Sequence, residues 1–226
     1  EKDERGTDIL IESVRLMKIT ICQRIIAIFI TTDNDDWRKQ AIEAGVADAL
    51  LRLFTSYPME LITPSHAWAF FVLTFIADSK ICFKAFQKIP YAGLFRLLDH
   101  PDIAVVNRAS ISINNILVGG SQSTPDAQPH PHFKAVSTIG GIDKLYSLYK
   151  KNPTSSIKDK AALCIGQLFR GKEIPDPSMR KDIIAFHKEA SNSPDEHLRD
   201  AATRGLRFLA QNAVNRAEIE SDNITS

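Results

Sequence analysis

Cysteine is scarce in this sequence, and its distribution argues against a disulfide framework. The three cysteines, Cys22, Cys82 and Cys164, lie far apart, and each sits within an apolar run. An odd number of widely spaced thiols is typical of reduced, buried side chains in the cytosol or nucleus. We therefore expect a cytoplasmic, possibly nuclear, protein without disulfide bonds.

An excess of charge of one sign is also absent. Lys and Arg total 28 against 27 Asp and Glu, so the formal net charge is +1. A near-neutral chain exerts little long-range attraction on a polyanion, and we expect no nucleic-acid partner. Hydrophobic residues at 44% and charged residues at 24% are ordinary globular values, which argues against a wholly disordered chain.

No apolar run is long enough to cross a membrane. The most apolar region, residues 19–32, is interrupted by Arg24. Its uncharged part, IIAIFITT, is far shorter than the roughly 20 residues that a membrane-spanning helix needs. The sequence therefore predicts no membrane span, and a buried helix is the interpretation that this region favours.

Catalytic and metal-binding motifs are missing as well. The sequence has no HExxH and no CxxC, and the DNDDW stretch starts like a calcium loop but fails at Arg38 and Ala44, where Gly and Glu are needed. His130 and His132 could share an ion, but no acidic or cysteine cluster completes the shell, so we predict an exposed Pro-rich loop. We expect no enzyme, cofactor, metal or small-molecule substrate.

The remaining reactive side chains have ordinary structural interpretations. Cys82 and Cys164 are potential nucleophiles, but a cysteine among apolar helical neighbours is typical of core packing. Four more histidines lie near predicted helix ends or turns, where we expect solvated or capping roles: His66, His100, His187 and His197.

Helical periodicity runs through almost the whole chain. In residues 107–117, NRASISINNIL, Ala109, Ile113 and Ile116 fall on one face at a period of 3.6 residues. Residues 159–169 and 199–209 repeat the pattern. No region alternates with a period of two, so a β-sheet is not expected.

Three segments of the chain are similar to each other. They are AGVADALLRLFTSYP (44–58), KIPYAGLFRLLDHP (88–101) and IGGIDKLYSLYKKNP (139–153). Each joins a small or bending residue, a Leu-x-x-Leu pattern and a polar turn closed by proline; a weaker fourth copy spans 183–194. Gly140-Gly141 takes the place of Ala44-Gly45, which favours a turn between helices over a phosphate-binding loop.

Each copy is followed by a longer helix with a small residue that we expect to be buried. These residues are Ala67, Ala109, Ala161 and Ala201. They recur about every 40 residues, the period of HEAT and armadillo arrays. The one longer spacing contains an extra loop, GGSQSTPDAQPHPHF, at residues 119–133, which we expect to be a mobile surface insertion.

The recurring unit resembles the armadillo repeat, most clearly in residues 37–54 and 133–169. The resemblance covers roughly residues 8–214 and implies an all-α, right-handed superhelical armadillo/HEAT-like α-solenoid of about four and a half repeats. In this interpretation residues 1–226 form a single repeat domain. Its units are expected at about 8–32 (partial), 33–78, 79–120, 133–172 and 176–214. Residues 1–6 and 216–226 are expected to be frayed.

In armadillo proteins the last helix of each unit lines a concave groove that holds peptides or partner helices. The resemblance therefore implies a non-catalytic scaffold or adaptor with a protein or peptide partner. Rotation by 100° per residue selects the groove residues opposite the core. They are Asn107, Arg108, Ile111, Asn115, Lys160, Gln167, Arg204 and Arg207. The Trp/Asn pairs of importin-alpha-like receptors are missing, because Val72 follows Trp68 at four residues, and this disfavours a basic nuclear signal as the ligand.

Two further expectations concern apolar helices. The chain begins with Glu1 rather than Met, and residues 8–31 form an apolar helix; both favour, as an alternative, an internal fragment of a larger solenoid that acts as a spacer or assembly surface. Residues 66–86 are apolar nearly all round, and we expect core burial. Exposure of Phe71 or Phe75 would instead indicate a hydrophobic groove.

Overall fold

The computed structural model describes residues 2–32, 34–76, 78–86, 91–151 and 154–221. Within these ranges the regular structure is entirely helical, which confirms the all-α prediction. The helices are α1 (Lys2–Ile30), α2 (Asp35–Glu43), α3 (Val46–Ser56), α4 (Pro64–Thr74), α5 (Ser79–Phe86), α6 (Ala92–Arg96), α7 (Ile103–Gln122), α8 (Phe133–Thr138), α9 (Gly141–Lys151), α10 (Ser155–Leu168), α11 (Pro177–Ala190), α12 (Glu196–Leu209) and α13 (Ala213–Ser221), with single 3-10 turns at Met59–Leu61 and Leu97–Asp99.

Local sequence signals set the ends of these helices. Side-chain oxygens cap the first turns of five helices by accepting hydrogen bonds from backbone N–H groups two or three residues later. These capping residues are Asn34, Asp102, Thr154, Asp176 and Asp195. Gly45 and Gly140 have φ of 88° and 68°, so both lie in the left-handed region that favours glycine. The predicted turns at these two positions are therefore confirmed.

The long helices form one row through the molecule. Helix α1 packs against α4, α4 against α7, α7 against α10, and α10 against α12, while α3, α9 and α11 pack against helices of this row. Ala67, Ala109 and Ala161 are buried at the contacts, as predicted. The register differs by one residue in α12, where Ala202 is fully buried and Ala201 is only half-buried. Pro153 and residues 88–90 of the repeated segments lie outside the described residues.

Helix α1 corrects the prediction of a buried helix over residues 19–32. Within that stretch only Cys22 and Phe29 are buried, whereas Ile21, Ile28 and Ile30 are each at least 50% exposed. The physical reason is that α1 has a helical neighbour on one side, α4, so a single narrow stripe of it is covered. No helix among the described residues is long and apolar enough to cross a membrane.

The apolar stretch at 66–86 is divided between two helices, α4 and α5. Most of α4 is buried, which agrees with the prediction of a core segment. Phe75, at the break after α4, is 61% exposed, and Phe71 is half-buried. The exposure of Phe75 therefore indicates a hydrophobic groove at the end of α4.

The predicted surface loop at 119–133 is exposed at residues 125–129 and 131, but it starts later than predicted and its two histidines are buried. Helix α7 continues to Gln122, and His130 and His132 are buried. The fully buried Arg170 holds the intervening chain by donating hydrogen bonds to the Ser121 carbonyl, the Thr124 hydroxyl and the Pro129 carbonyl. A buried guanidinium needs several acceptors, and residues 121–129 provide them.

The expected fraying of the ends stays a prediction; where the chain is described, both ends are helical. Residues 2–6 belong to α1, and residues 216–221 belong to α13. Asn215 is fully buried and ties α13 to the segment between α10 and α11, because its side chain accepts from the Ile174 N–H and donates to the Lys172 carbonyl. Residues 1 and 222–226 lie outside the described residues.

Candidate functional site

The candidate surface is formed by neighbouring helices that run in the same direction. Asn107 and Ser156, near the starts of α7 and α10, are joined by a hydrogen bond of 3.3 Å from the serine hydroxyl to the amide oxygen. Near the ends of the same helices the Ser121 hydroxyl donates to the Gln167 amide oxygen at 3.0 Å. Equivalent positions of successive helices therefore lie side by side.

Arg108 is the central cation of this surface. Its guanidinium carbon lies 4.6 Å from the Trp68 ring centre and 4.9 Å from the Phe71 ring centre, so it stacks on two aromatic side chains of α4. Partial burial lowers the pKa of Arg108 from its ordinary value. Among the described residues its side chain has no hydrogen-bond acceptor and no acidic partner, so the edge of the guanidinium is free to donate.

The half-buried polar side chains of α7 form some of their hydrogen bonds within the protein. Asn115 donates its amide to the Thr74 hydroxyl at 3.3 Å, and Asn107 accepts from Ser156. Ile111 lies between them on the same helix and is also half-buried. We name the set Trp68, Phe71, Asn107, Arg108, Ile111 and Asn115 the ladder surface.

Gln167 does not lie on an exposed face, which corrects its predicted place in the groove. It is 8% exposed, and its amide group contacts both Ser121 and Asn114. Asn114 of α7 is equally buried. Because residues 161–170 are all buried, the part of α10 near Gln167 has no accessible polar row.

The other predicted cations lie toward the C-terminal helices. Lys160 of α10 and Arg204 of α12 are half-buried, and Arg207 is exposed. Arg207 forms an ion pair of 3.2 Å with Asp126 of the segment after α7. Both partners of that pair are largely exposed, so it contributes little to stability.

Next to the ladder surface is a cavity of about 410 Å³ that the sequence did not predict. It lies between the end of α1, residues 29–32, and the end of α4, where Phe71, Val72 and Phe75 line it, with Arg38 of α2 at its base. We name it the Phe75 pocket. The apolar run of residues 67–76, interrupted only by Thr74, was the available signal. When a helix end carries more apolar residues than the core can cover, some of them must be exposed.

Arg38 is the buried polar group of this pocket. It is 3% exposed and donates to three helix-end carbonyls, those of Phe29, Thr32 and Val72, at 2.8–3.0 Å. Its third nitrogen, Nη1, lies 3.6 Å from a carboxylate oxygen of Asp35. Arg38 therefore satisfies the carbonyls at the ends of two helices.

The titratable groups of the described chain do not assemble a reactive centre. Burial raises the pKa of Cys22 to about 11 and the pKa values of Cys82 and Cys164 to about 12, so all three thiols stay protonated at neutral pH. The described residues contain no cluster of three metal-ligating side chains. His66, His100 and His187, expected to be solvated or capping, are buried, although His66 also caps the start of α4.

Comparison with known proteins identifies a similar fold among solved structures but no family model and no curated protein that matches the sequence. Among solved structures it is similar to a designed armadillo repeat protein in complex with peptide (KR)4. The TM-score is 0.61 at 14% sequence identity, over 90% of this chain and 80% of the designed one. The right-handed direction of the superhelical coil stays a prediction. The structural similarity shows that the chain has an armadillo-like helical repeat fold, an all-α solenoid.

Proposed function

We propose that this protein is a non-catalytic scaffold that binds a segment of a partner protein along the ladder surface and the cations next to it. The observation that carries the proposal is the free, aromatic-stacked Arg108 in a row of same-direction helices. Helical repeat arrays commonly bind partners along such rows. The similarity to a designed repeat protein that holds a peptide supports the same use.

The charge of the candidate surface favours an acidic segment. Arg108, Lys160, Arg204 and Arg207 are the predicted groove cations, and among them only Arg207 forms an ion pair within the described residues. The designed neighbour is in complex with the basic peptide (KR)4. A surface that presents unpaired cations repels such a peptide and attracts carboxylates instead.

Charge reversal tests this function. We expect Lys160→Glu with Arg204→Glu to remove acidic partners recovered from native cell extract with wild-type protein, because two attractive contacts become repulsive. The matched control is Lys134→Glu with Lys151→Glu, which makes the same change of net charge at exposed positions of α8 and α9. Quantitative mass spectrometry compares the bound proteins after circular dichroism shows that both variants are folded. Identical partner lists for all three proteins would contradict the proposal.

A second candidate function is an assembly surface on α1. Eight bulky apolar side chains of this helix are at least 50% exposed: Ile9, Leu10, Ile11, Leu16, Met17, Ile21, Ile28 and Ile30. A soluble chain rarely leaves so many large apolar groups uncovered on one element unless another protein covers them.

The assembly hypothesis has a separate test. We expect wild-type protein to self-associate as its concentration rises, and Leu10→Gln with Met17→Gln to stay monomeric, because these side chains are 64% and 62% exposed. Size-exclusion chromatography with light scattering measures the mass, and Ile139→Gln with Val214→Gln changes exposed apolar residues elsewhere as the control. Neither pair is buried, so the melting temperature should hardly change. A wild type that is monomeric at every concentration would rule out self-association through α1.

A further inference from the structure

The Phe75 pocket exposes apolar side chains beside a free cation. Phe75 is 61% exposed and Ile30 is 53% exposed, although both line the same cavity. Phe71 lines this cavity as well and carries Arg108 on its ring. The pocket and the guanidinium are therefore parts of one continuous surface.

Most polar groups at the base of the pocket already have hydrogen-bond partners; the exception, Arg38 Nη1, is buried and lies 3.6 Å from the Asp35 carboxylate. The helix-end carbonyls of Phe29, Thr32 and Val72 accept from Arg38, and the Thr31 hydroxyl donates to the Ala27 carbonyl. An occupant of the pocket would find few open acceptors there, and Arg38 itself is engaged by those carbonyls and by Asp35. The base therefore favours an apolar side chain over a polar or charged one.

Arg108 defines the second element of the occupant. Its guanidinium carbon lies within 4.9 Å of two aromatic ring centres, and none of the described residues accepts a hydrogen bond from its N–H groups. A carboxylate is the group that pairs with a guanidinium edge through two parallel hydrogen bonds. A basic side chain at the same place would meet an unpaired positive charge that partial burial already disfavours.

From these contacts we infer that the Phe75 pocket and Arg108 together bind an acidic partner segment that carries a bulky apolar anchor. The inference rests on the proposed scaffold function and specifies its partner class. The Phe71 and Phe75 rings are 6.1 Å apart, and Arg108 is 4.9 Å from the former. The Phe75 ring centre and the Arg108 guanidinium are thus at most about 11 Å apart, a distance that an extended chain spans in about three residues.

Peptide binding tests this inference directly. The probes are fluorescent twelve-residue peptides with one Phe or Leu and one Glu three residues away, measured by fluorescence polarisation. Companion peptides replace the Glu with Gln or Lys, replace the anchor with Ala, or move the two groups apart. The peptide (KR)4 serves as the basic comparison. We expect the anchor-plus-Glu peptides to bind most tightly and the Lys and Ala versions to bind at least about tenfold more weakly.

Variants of the protein separate the two contacts. We expect Phe75→Ser to weaken the anchor-plus-Glu peptides at least about tenfold, and Arg108→Gln to weaken them about fivefold while leaving the Gln peptides unchanged. The control is Ile139→Ser, at an exposed apolar residue outside the pocket. Circular dichroism confirms the fold of each variant.

The outcomes distinguish the failure of this inference from the failure of the scaffold function. Peptides that bind wild type and the Phe75→Ser variant equally would overturn the pocket assignment and leave the scaffold function standing. A preference for Lys over Glu peptides would overturn the acidic class. Binding of no peptide at all, (KR)4 included, would overturn both proposals, whereas selective loss in the two variants would support both.

Discussion

Acidification from pH 7 to about pH 4 is expected to unfold this protein cooperatively, because three buried histidines must then take up protons. Burial lowers the pKa of His130 to about 3 and those of His132 and His187 to about 4. For His130 the nearby charge of Arg170 lowers the pKa further. In an unfolded chain all three would titrate near pH 6.5.

The direction of the stability change follows from the lowered pKa values of the three histidines. Above about pH 6.5 all three imidazoles are neutral in both states, so their contribution to stability is fully present. As the pH falls toward 4, the three imidazoles bind protons in the unfolded chain but stay mostly neutral in the folded chain. The free energy of unfolding therefore decreases. At pH 4.5 this amounts to about 3 kcal/mol for each histidine. The sum for three is comparable with the whole folding free energy of an ordinary domain, about 5–15 kcal/mol.

The hydrogen bonds of these side chains require the neutral ring. His130 donates from Nε2 to the Leu117 carbonyl at 2.9 Å and accepts at Nδ1 from the His132 N–H at 3.2 Å. Protonation of Nδ1 would turn this second contact into a clash of two donors. His187 donates from Nδ1 to the Ile183 carbonyl at 2.8 Å, and its Nε2 has no acceptor among the described residues that could bind an added proton.

Far-UV circular dichroism during a pH titration measures the transition. We expect His132→Phe to move the midpoint to lower pH, because phenylalanine keeps the ring contacts with Phe83 and Tyr91 and cannot be charged. His197→Gln, at an exposed histidine, should leave the midpoint in place. A native spectrum at pH 4, or a midpoint that is insensitive to His132→Phe, would contradict the assignment.

The features of this fold that sequence predicts are those with a local physical cause. The row of long helices follows from periodicity, since a residue's face on a helix depends only on its neighbours in sequence. The turn at Gly140 follows likewise, because a left-handed backbone position selects glycine. The Leu-x-x-Leu segments, such as Leu145 and Leu148, bury their leucines for the same reason.

The features that sequence did not predict depend on which distant segment covers a side chain. His130 and Gln167 are polar and were expected on the surface, but each is buried against hydrogen-bonding partners on another element. Leu10 is apolar and exposed because α1 has a neighbour on one side only. The Phe75 pocket requires the ends of α1 and α4 to lie together, and no local pattern encodes that distance.

Gly205→Ala is expected to destabilise the protein by about 3 kcal/mol, the upper part of the range for overpacked sites. His187 of α11 lies between α10 and α12, and its ring fills the space that a Cβ would need at Gly205 and also at Gly166. The ring has little freedom to move, because it is fully buried and its Nδ1 is bonded to the Ile183 carbonyl. The two glycines thus allow α10 and α12 to approach one imidazole from opposite sides.

Removal of the His187 ring should abolish or reverse the destabilisation caused by Gly205→Ala. In a His187→Ala background, which itself costs stability through the cavity it leaves, Gly205→Ala should be neutral or stabilising by up to about 1 kcal/mol, since alanine is the better helix former. Urea unfolding of the four proteins of this double-mutant cycle gives the coupling free energy. If Gly205→Ala destabilises both backgrounds equally, overlap with His187 is not the cause. A large coupling would show that the width of one histidine ring sets the spacing of the last helices in the array.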